Sequence, residues 1–447
     1  MTASPAPLRV AVVGSGIAGL SCAWLLSQRH TVTVFEAGDR LGGHTHTWTV
    51  DDGLGSQTAV DTGFIVYNET TYPNLTALFA HLGVATRQSD MSFAASLDDG
   101  ALEYGSTDLA SLFAQKRNLL RPRFITMLRD LTRFYREAPL ARARGDLAGL
   151  TLGQYLDARG YSRAFRKDHL LPQAAAIWSA SLDAIADHPA EAFVQFFENH
   201  GLLELNTAIR PQWRTVVGGS GTYIAPISAS YGDRVRLNAA VTAVRSVSGG
   251  VEVATASGSE TFDQVVIATH GDQALRMLAA PTPAQASVLS AFRYSRNRAV
   301  LHTDLAFMPR RRAAWSAWNY VGGKGATGEV TYWMNRLQGL SSKEPLLVSL
   351  NPARTPDPAK VVAEVSYEHP LFDHAAVAAQ AELWSLQGEG GVWFCGAHFG
   401  AGFHEDGLQS GLAVAEQLGG VRRPWSLADE SGRIVLGPAP VVHAEAA

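Results

Sequence analysis

The stretch that decides the fold is Leu8-Arg-Val-Ala-Val-Val13, followed by Gly14-Ser-Gly-Ile-Ala-Gly19 and then Leu20 to Arg29. It has the pattern of a short apolar strand, a glycine turn and a helix. A second apolar strand follows at Thr31-Val-Thr-Val-Phe35. Strand, glycines, helix and second strand in this register predict a dinucleotide-binding βαβ unit.

The glycine turn and the acid after the second strand are suited to holding a dinucleotide. Gly14 permits the tight turn, Gly16 lets the backbone approach a pyrophosphate, and Gly19 lets the helix pack on the strand. The helix N-terminus offers free N–H groups and partial positive charge to phosphates, and Glu36 is placed to accept hydrogen bonds from a ribose. We therefore predict cofactor contacts from Gly14, Ser15, Gly16, Ile17, Ala18, Gly19, Glu36 and Ala37. On these residues alone, both NAD and FAD remain possible.

A second motif begins just beyond this acid. Arg40-Leu-Gly42-Gly43-His44 completes a pattern that resembles the E-x-x-x-R-x-G-G extension of FAD enzymes related to amine oxidases and phytoene desaturases. The resemblance implies that FAD is the cofactor, that Arg40 lies near the pyrophosphate, and that Gly42, Gly43 and His44 pass against the ribityl and flavin. A solvated surface charge is the alternative interpretation of Arg40.

A third motif lies near the C-terminus. Val392 to Gly396 has the pattern of a late strand, and Gly407 to Leu418 that of the helix after it. Glu405-Asp406-Gly407 resembles the C-terminal signature of the same family, in which this helix points its positive end at the isoalloxazine and stabilises reduced flavin. The resemblance implies further cofactor contacts from Gly396, Glu405, Asp406 and Leu408. Many relatives place an acid after the strand glycine, where this chain has Ala397 and His398.

Both chain length and the resemblance indicate two domains. A chain of 447 residues exceeds one ordinary core. The resemblance implies an α/β fold, in which a Rossmann-type FAD-binding domain of the glutathione-reductase-like, amine oxidase type joins a substrate domain of mixed sheet plus helices. We assign 1–71, 206–281 and 388–423 to the FAD-binding domain, 72–205 and 282–387 to the substrate domain, and 424–447 to a peripheral tail. In the FAD-binding domain, Val241 would offer its backbone to the adenine, and a core valine is the alternative.

The two insertions assigned to the substrate domain differ in pattern. Apolar spacing predicts helices at Pro73 to Leu82 and Pro189 to His200. The second insertion carries strand-like runs at Gly328 to Trp333, Leu346 to Leu350 and Val361 to Val365. Together they predict a mixed sheet with helices over it.

Aromatic residues are dense in these insertions, and some of them are expected to line an apolar substrate tunnel while the rest form core. The set is Trp178, Phe193, Phe196, Phe197, Trp213, Trp315, Trp318, Tyr320, Tyr332 and Trp333. The stretches 60–68, 196–203, 213–221 and 402–407 resemble a bacterial subgroup of predicted FAD-containing amine-oxidase-like proteins, often considered alongside fatty-acyl-modifying methyltransferases. That resemblance implies a fatty-acyl lipid or an isoprenoid as the substrate of a two-electron oxidation, a desaturation or dehydrogenation.

Catalytic side chains are less visible, because in such enzymes the flavin carries the difficult chemistry. Five histidines are expected near it: His44, His46, His270, His398 and His404. His404 is our candidate base because it adjoins the acidic pair, and a structural histidine is the alternative. Amine oxidases use a lysine near the flavin, for which Lys324 is the candidate here. Amine oxidation, a redox-neutral isomerisation and a non-catalytic flavin-binding partner of a lipid-modifying enzyme remain alternatives.

Composition bounds the partners and the location. A net charge of -4 gives no global field for nucleic acid, and two cysteines, Cys22 and Cys395, provide no metal cluster and suit a reducing compartment. The run from Val10 to Leu26 is interrupted by glycines and lacks a preceding basic region, so we expect a cytoplasmic protein. A basic amphipathic helix across 116–136 predicts peripheral contact with the inner membrane face, and a solvated basic face is the alternative. The oligomeric state stays open.

Overall fold

The computed structural model describes residues 6–178, 181–204, 210–322 and 328–437. Five parallel strands form the first sheet, in the spatial order Val235–Arg236, Thr31–Phe35, Arg9–Val13, Gln264–Ile267 and Val392–Phe394. The central strand is fully buried at Val10, Ala11 and Val12, as expected for a parallel sheet covered on its faces. The predicted Rossmann-type arrangement of the three distant motifs is therefore confirmed.

Two helices pack on each other beside this sheet. The first helix, Ile17–Leu26, follows the glycine turn, and the last helix, His404–Gly419, follows the final strand. Both N-termini lie at the same edge of the sheet, beyond the carboxyl ends of the strands. Close contact depends on small residues, since a methyl group on Gly411 would lie 2.3 Å from the Ala18 carbonyl oxygen.

Three small antiparallel sheets surround this unit. One contains Val241–Val247, Gly250–Thr255 and Gly258–Phe262. A hairpin pairs Thr47–Asp51 with Gln57–Asp61. The third sheet contains Tyr67–Asn68, Trp213–Val216 and Thr86–Gln88.

A seven-stranded mixed sheet forms the second layer. Its spatial order is Val361–Leu371, Arg293–His302, Leu347–Leu350, Glu329–Trp333, Trp318–Gly322, Phe93–Leu97 and Leu102–Gly105. Trp318–Gly322 and Phe93–Leu97 run parallel, and the other neighbours are antiparallel. The predicted mixed sheet is therefore confirmed.

In the first insertion, the helix Pro73–Leu82 packs in the core of the five-stranded sheet and against the last helix, and the later helices lie over the mixed sheet and the cavity. Their bounds are Pro73–Leu82, Leu109–Leu112, Pro122–Ala143, Leu152–Ala158, Arg163–Phe165, Leu171–Trp178, Leu182–Ala186 and Ala190–Asn199. The remaining helices are Ile224–Ser228, Gly271–Met277, Pro283–Ser290, Met334–Gln338 and His374–Gln380. The two helices predicted in the first insertion are both present, and Phe193, Phe196 and Phe197 share the buried side of the second.

The predicted helix across 116–136 is wrong in its start, whereas its apolar stripe does face the core. Lys116–Leu120 is a 3-10 turn, and the α-helix begins at Pro122, because the residue before a proline is held extended. We expected Phe124, Leu128, Leu131 and Tyr135 as the apolar stripe. Phe124 and Tyr135 are buried, and Leu128 and Leu131 pack partly buried against the core. Met127 and Phe134 are fully buried beside them.

The C-terminal segment is less peripheral than its composition suggested. Trp425 stacks on Trp24 with ring centroids 5.9 Å apart, and Ile434 is buried in the core of the five-stranded sheet. Arg433 forms an ion pair with Asp406, with 2.7 Å between Nε and Oδ1. Trp425, Arg433 and Ile434 of the predicted tail thus contact the rest of the fold, while the other described residues from 424 to 437 are exposed or half-buried. Across the described ranges, every helix is too short or too polar to cross a bilayer.

Candidate active site

A cavity of about 800 Å³ lies between the five-stranded and seven-stranded sheets. Val13, Phe35, Ala268 and Gly396 line it at the carboxyl ends of their strands, which is where open α/β sheets bind ligands. Twelve of the predicted cofactor and catalytic residues lie in its wall: Gly14, Ser15, Gly16, Ile17, Ala18, Glu36, Ala37, Gly43, His44, Val241, Gly396 and His404. Stretches separated by more than 300 residues therefore share one cavity.

The acid after the second strand holds the glycine turn in place. Glu36 accepts hydrogen bonds from the Ser15 backbone N–H at 3.0 Å and from the Ser15 hydroxyl at 2.5 Å. Its other oxygen accepts from the Gly38 N–H at 2.8 Å. A carboxylate has about four acceptor positions, so this one retains capacity for the hydroxyls of a ribose.

The glycine turn leaves space and free donors for a phosphate. A methyl group on Gly16 would meet no atom within 4 Å, and Gly16 begins the first helix without a side-chain cap. The first N–H groups of that helix therefore have no partner within the helix. His44 adds an imidazole nitrogen, Nε2, that lacks a protein partner in the same wall. These features fit the pyrophosphate and ribityl of FAD.

Three of the predicted contacts support the cavity from outside its wall. Arg40 donates to the carbonyls of Leu41, Gly43 and Thr45 at 2.7 to 3.2 Å, so its guanidinium holds the loop that carries the glycine doublet. Gly42 lies in that loop with a φ of 112°, a value that favours glycine. Gly19 makes the close contact between helix and turn, because a methyl group there would lie 2.0 Å from the Gly14 oxygen.

The acidic pair at the start of the last helix is directed away from the cavity. The Glu405 carboxylate accepts the backbone N–H groups of Asn74 and Leu75, at 3.0 and 2.9 Å. These residues are in the first turn of Pro73–Leu82, a helix with no cap of its own, so a carboxylate from a distant segment caps it.

Asp406 holds the opposite side of the same helix start. It accepts the Phe403 N–H at 2.7 Å and binds both nitrogens of the Arg433 fork at 2.7 and 3.1 Å. Leu408 is fully buried in the core. The structure thus gives the side chains of Glu405, Asp406 and Leu408 supporting positions, and contact of these residues with the cofactor stays a prediction.

His404 lies in the cavity wall with its ring held on two sides. Its Nε2 is 3.1 Å from both the Thr45 and the Tyr223 hydroxyl, and the ring stacks on Phe64 at a centroid distance of 3.8 Å. Burial lowers the pKa of His404 to about 3, so the imidazole is neutral at physiological pH. This arrangement fixes the ring, and a role as base remains a prediction.

One group of lining residues is mostly aromatic and apolar, and we call it the aromatic compartment. We define it by Tyr72, Met91, Ile177, Trp178, Phe196, His200, Leu202, Trp213, Trp318, Tyr332, Leu350 and Phe403. Phe196 and Phe403 stack with ring centroids 4.9 Å apart, and His200 stacks on Phe196 at 3.8 Å. Five of the ten aromatic residues singled out in the sequence belong to it, and Phe193, Phe197 and Tyr320 are buried core instead.

The other histidines around the cavity are also held neutral by burial. The pKa values fall to about 3 for His200 and His398, and to about 4 for His369 and His46. His270 stacks on Tyr294 at 4.1 Å and lies 3.4 Å from a Glu368 oxygen. Low pKa values across the wall indicate a desolvated site.

Sequence reasoning missed several wall segments. Thr62 to Val66 lies beside Gly43 and His44, and a methyl group on Gly63 would lie 2.1 Å from the His44 oxygen. The strand end Tyr367 to Pro370 contributes a second segment. The stretch 60–68 carried a signal in its subgroup resemblance, whereas the strand end carried none. Lys324, the candidate flavin-side lysine, lies outside the described residues.

Comparison with known proteins agrees with this geometry. The family model for flavin-containing amine oxidoreductases matches residues 17–317, more than half of the chain. The 15-cis-phytoene desaturase of Synechococcus elongatus is 40% identical over 81 residues, which are 18% of this chain and 16% of that protein. An L-amino-acid oxidase of Crotalus adamanteus is 47% identical over 53 residues, 12% of this chain and 10% of that protein. Sequence similarity to these curated relatives thus covers less than a fifth of their length.

Solved structures show the same fold over nearly the whole chain. Cyclohexylamine oxidase from Brevibacterium oxydans IH-35A has a TM-score of 0.67 at 18% identity, covering 92% of this chain and 99% of that one. A fatty acid isomerase from P. acnes, described as producing CLA, has a TM-score of 0.63 at 14% identity, covering 92% and 98%. At such identities the likeness shows the fold alone. Together with the family match and the cofactor cradle, it leads to one conclusion: the chain belongs to the flavin-containing amine oxidoreductases and is an FAD-dependent oxidoreductase.

Proposed function

We propose that this protein catalyses a two-electron oxidation, a desaturation or dehydrogenation, of an apolar substrate, and that a fatty-acyl lipid or an isoprenoid is the substrate class. The supporting observation is the composition of the aromatic compartment. Its twelve residues include no Asp, Glu, Lys or Arg, whereas the rest of the cavity lining carries Glu36, Arg276 and Glu368. Burying an apolar chain there contributes about 0.8 kcal/mol per CH₂, whereas an unpaired charge would lose its hydration without compensation.

The compartment also carries two polar atoms that suit one polar substituent. His200 Nδ1 lies 2.8 Å from the Phe196 carbonyl oxygen, so in the neutral ring Nδ1 donates and Nε2 is an acceptor. Neither His200 Nε2 nor Trp318 Nε1 has a protein partner. A substrate group that donates would pair with His200 Nε2, and one that accepts would pair with Trp318 Nε1.

Bound FAD would supply the two-electron acceptor, taking a hydride while a proton leaves the substrate. The chain's own contribution is to exclude water, to orient the apolar chain between Phe196, Trp178 and Trp318, and to keep the cavity histidines neutral. Because the substrate loses two electrons in each turnover, the reaction also needs a final electron acceptor, which is oxygen or another oxidant.

Amine oxidation is the principal rival, supported by the cyclohexylamine oxidase fold. A substrate amine would have to enter this compartment uncharged, because its twelve residues provide no carboxylate. Redox-neutral isomerisation is the second rival, supported by the fatty acid isomerase fold. It would require prereduced flavin and consume no acceptor.

Anaerobic mixing of the FAD-loaded protein with candidate substrates separates these functions. A fatty acid, an acyl phospholipid or an isoprenoid hydrocarbon should bleach the visible flavin band, and amines should leave it unchanged. If only amines bleach the flavin band, amine oxidation becomes the preferred function and oxidation of an apolar substrate is contradicted. Product formation only after prereduction, without bleaching, would establish isomerisation. If the protein binds FAD, but no compound reduces the flavin and none is converted, the protein is better described as a non-catalytic flavin-binding partner of a lipid-modifying enzyme.

A pair of tryptophan variants tests the compartment itself. Trp318→Phe keeps an aromatic ring and removes the Nε1 donor, so it should raise KM with little effect on stability. Trp333→Phe is the matched control, because Trp333 Nε1 is also unpartnered and its side chain packs on Trp315 in a separate cluster. Equal kinetics for the two variants would contradict the assignment of Trp318.

A further inference from the structure

Three large apolar side chains stand in solvent beside the 3-10 turn at Lys116–Leu120. Leu120 is 89% exposed, Leu119 is 54% exposed and Ile125 is 47% exposed. At the start of the following helix, Phe124 and Met127 are fully buried. The exposed leucines therefore form a separate protrusion and are not an edge of the helix core.

The fold brings two basic stretches of the sequence to one β-turn near these leucines. Ala101, in the turn between two strands of the mixed sheet, accepts hydrogen bonds from Arg117 at 2.7 Å and from Arg121 at 2.6 Å. Two residues later, Glu103 binds the Arg310 backbone N–H at 2.7 Å and the Arg311 guanidinium at 2.8 Å. Residues 116–123 and 310–312 thus surround the same turn from both sides.

Positive charge dominates this surface after internal pairing is considered. The seven cationic residues are Lys116, Arg117, Arg121, Arg123, Arg310, Arg311 and Arg312, and the five acidic residues nearby are Asp98, Asp99, Glu103, Asp108 and Asp168. Glu103 is fully buried and Asp168 is 1% exposed, so these two carboxylates serve to anchor arginines. The arginine heads remain in solvent, with 54% exposure for the Arg123 side chain and 43% for Arg311.

We propose that this basic leucine patch, formed by residues 116–125 and 310–312, docks the protein on an anionic lipid bilayer. Leu119 and Leu120 enter the interface, and the surrounding lysine and arginines contact lipid head groups. Exposed leucines beside basic side chains bind anionic bilayers, because the free energy of burying the leucines adds to the attraction between the basic side chains and the lipid head groups. This surface is distinct from the cavity, so the proposal does not depend on the substrate class.

Vesicle flotation of the FAD-loaded full chain tests the proposal. The protein should float with vesicles of phosphatidylcholine plus phosphatidylserine, and much less with phosphatidylcholine alone. Added salt should weaken binding, since exposed charges are screened. Binding that is equal on both vesicle types, or a preference for DNA or an acidic protein over anionic vesicles, would overturn it.

Leucine variants locate the contact. Leu119→Ser with Leu120→Ser should weaken vesicle binding about tenfold or more. Leu140→Ser is the matched control, because Leu140 is 58% exposed and lies in the following helix Pro122–Ala143, outside the basic leucine patch. Equal loss in the control, or none in the double variant, would refute the patch. Flavin content and turnover of detergent-dispersed substrate should not change in either variant, which keeps this test separate from the proposed oxidation.

Discussion

Replacing Gly16 by alanine should remove FAD while leaving the protein folded. Gly16 has a φ of -66° and a ψ of 177°, which an alanine adopts without strain. Its added methyl group would meet no protein atom within 4 Å, and would instead enter the space that the pyrophosphate needs. Alanine is a poorer N-cap than glycine, so we expect the apoprotein to lose only about 1 kcal/mol of stability.

The expected loss of affinity follows from the cost of overfilling a packed site. One extra methyl group costs about 1–3 kcal/mol, which is roughly 5- to 150-fold in Kd. FAD at 100 times its Kd stabilises the native protein by about 2.7 kcal/mol. A 100-fold weaker Kd at the same FAD concentration would reduce that stabilisation to about 0.4 kcal/mol.

Thermal unfolding of apoprotein with and without FAD measures both quantities, and flavin absorbance of the purified protein gives occupancy. Gly19→Ala is the comparison, because its methyl group would lie 2.0 Å from the Gly14 oxygen and must move by at least about 1 Å. That variant should be destabilised by about 3 kcal/mol or more even without FAD. Full FAD occupancy with an unchanged thermal shift in Gly16→Ala would refute this account of the glycine turn.

Three further outcomes are expected. Glu405→Gln places an amide against backbone N–H groups that need an acceptor, so denaturant unfolding should show a loss of about 1–3 kcal/mol; an unchanged midpoint would contradict the capping role. Gly411→Ala should separate the first and last helices because its methyl group meets a carbonyl oxygen at 2.3 Å, whereas Gly232→Ala, with no atom within 4 Å, should unfold like wild type. Acidification should destabilise the protein, because the buried histidines have lower pKa values in the folded state than the value of about 6.5 in the unfolded state. The unfolded state therefore binds more protons as the pH falls, and the free energy of unfolding drops by up to about 1.4 kcal/mol per pH unit for each histidine. The histidines concerned are His169, His200, His369, His398 and His404. Urea titrations between pH 7.5 and 5 measure the free energy of unfolding, and a value that does not change with pH would contradict the lowered pKa values.

Local patterns identified the cofactor half of the site well. The glycine turn, Glu36 and the late strand glycine Gly396 all reach the cavity wall, because their roles depend on backbone geometry that short sequences encode. The acidic pair shows where this reasoning stops. Glu405 and Asp406 have the residue types expected near a cofactor, but their carboxylates face Asn74 and Arg433, and helix orientation alone decides that direction.

By itself, the sequence determined the dinucleotide-binding unit, because strand, glycine turn and helix follow one another in one continuous stretch. The choice of FAD as the cofactor came from the family resemblance of the motifs at Arg40 to His44 and Glu405 to Gly407. Only the tertiary structure decided which aromatic residues line the cavity and which fill the core. It also decided that residues 116–123 and 310–312 share one basic surface. Such outcomes depend on contacts between segments hundreds of residues apart, and no local pattern specifies which face each segment presents.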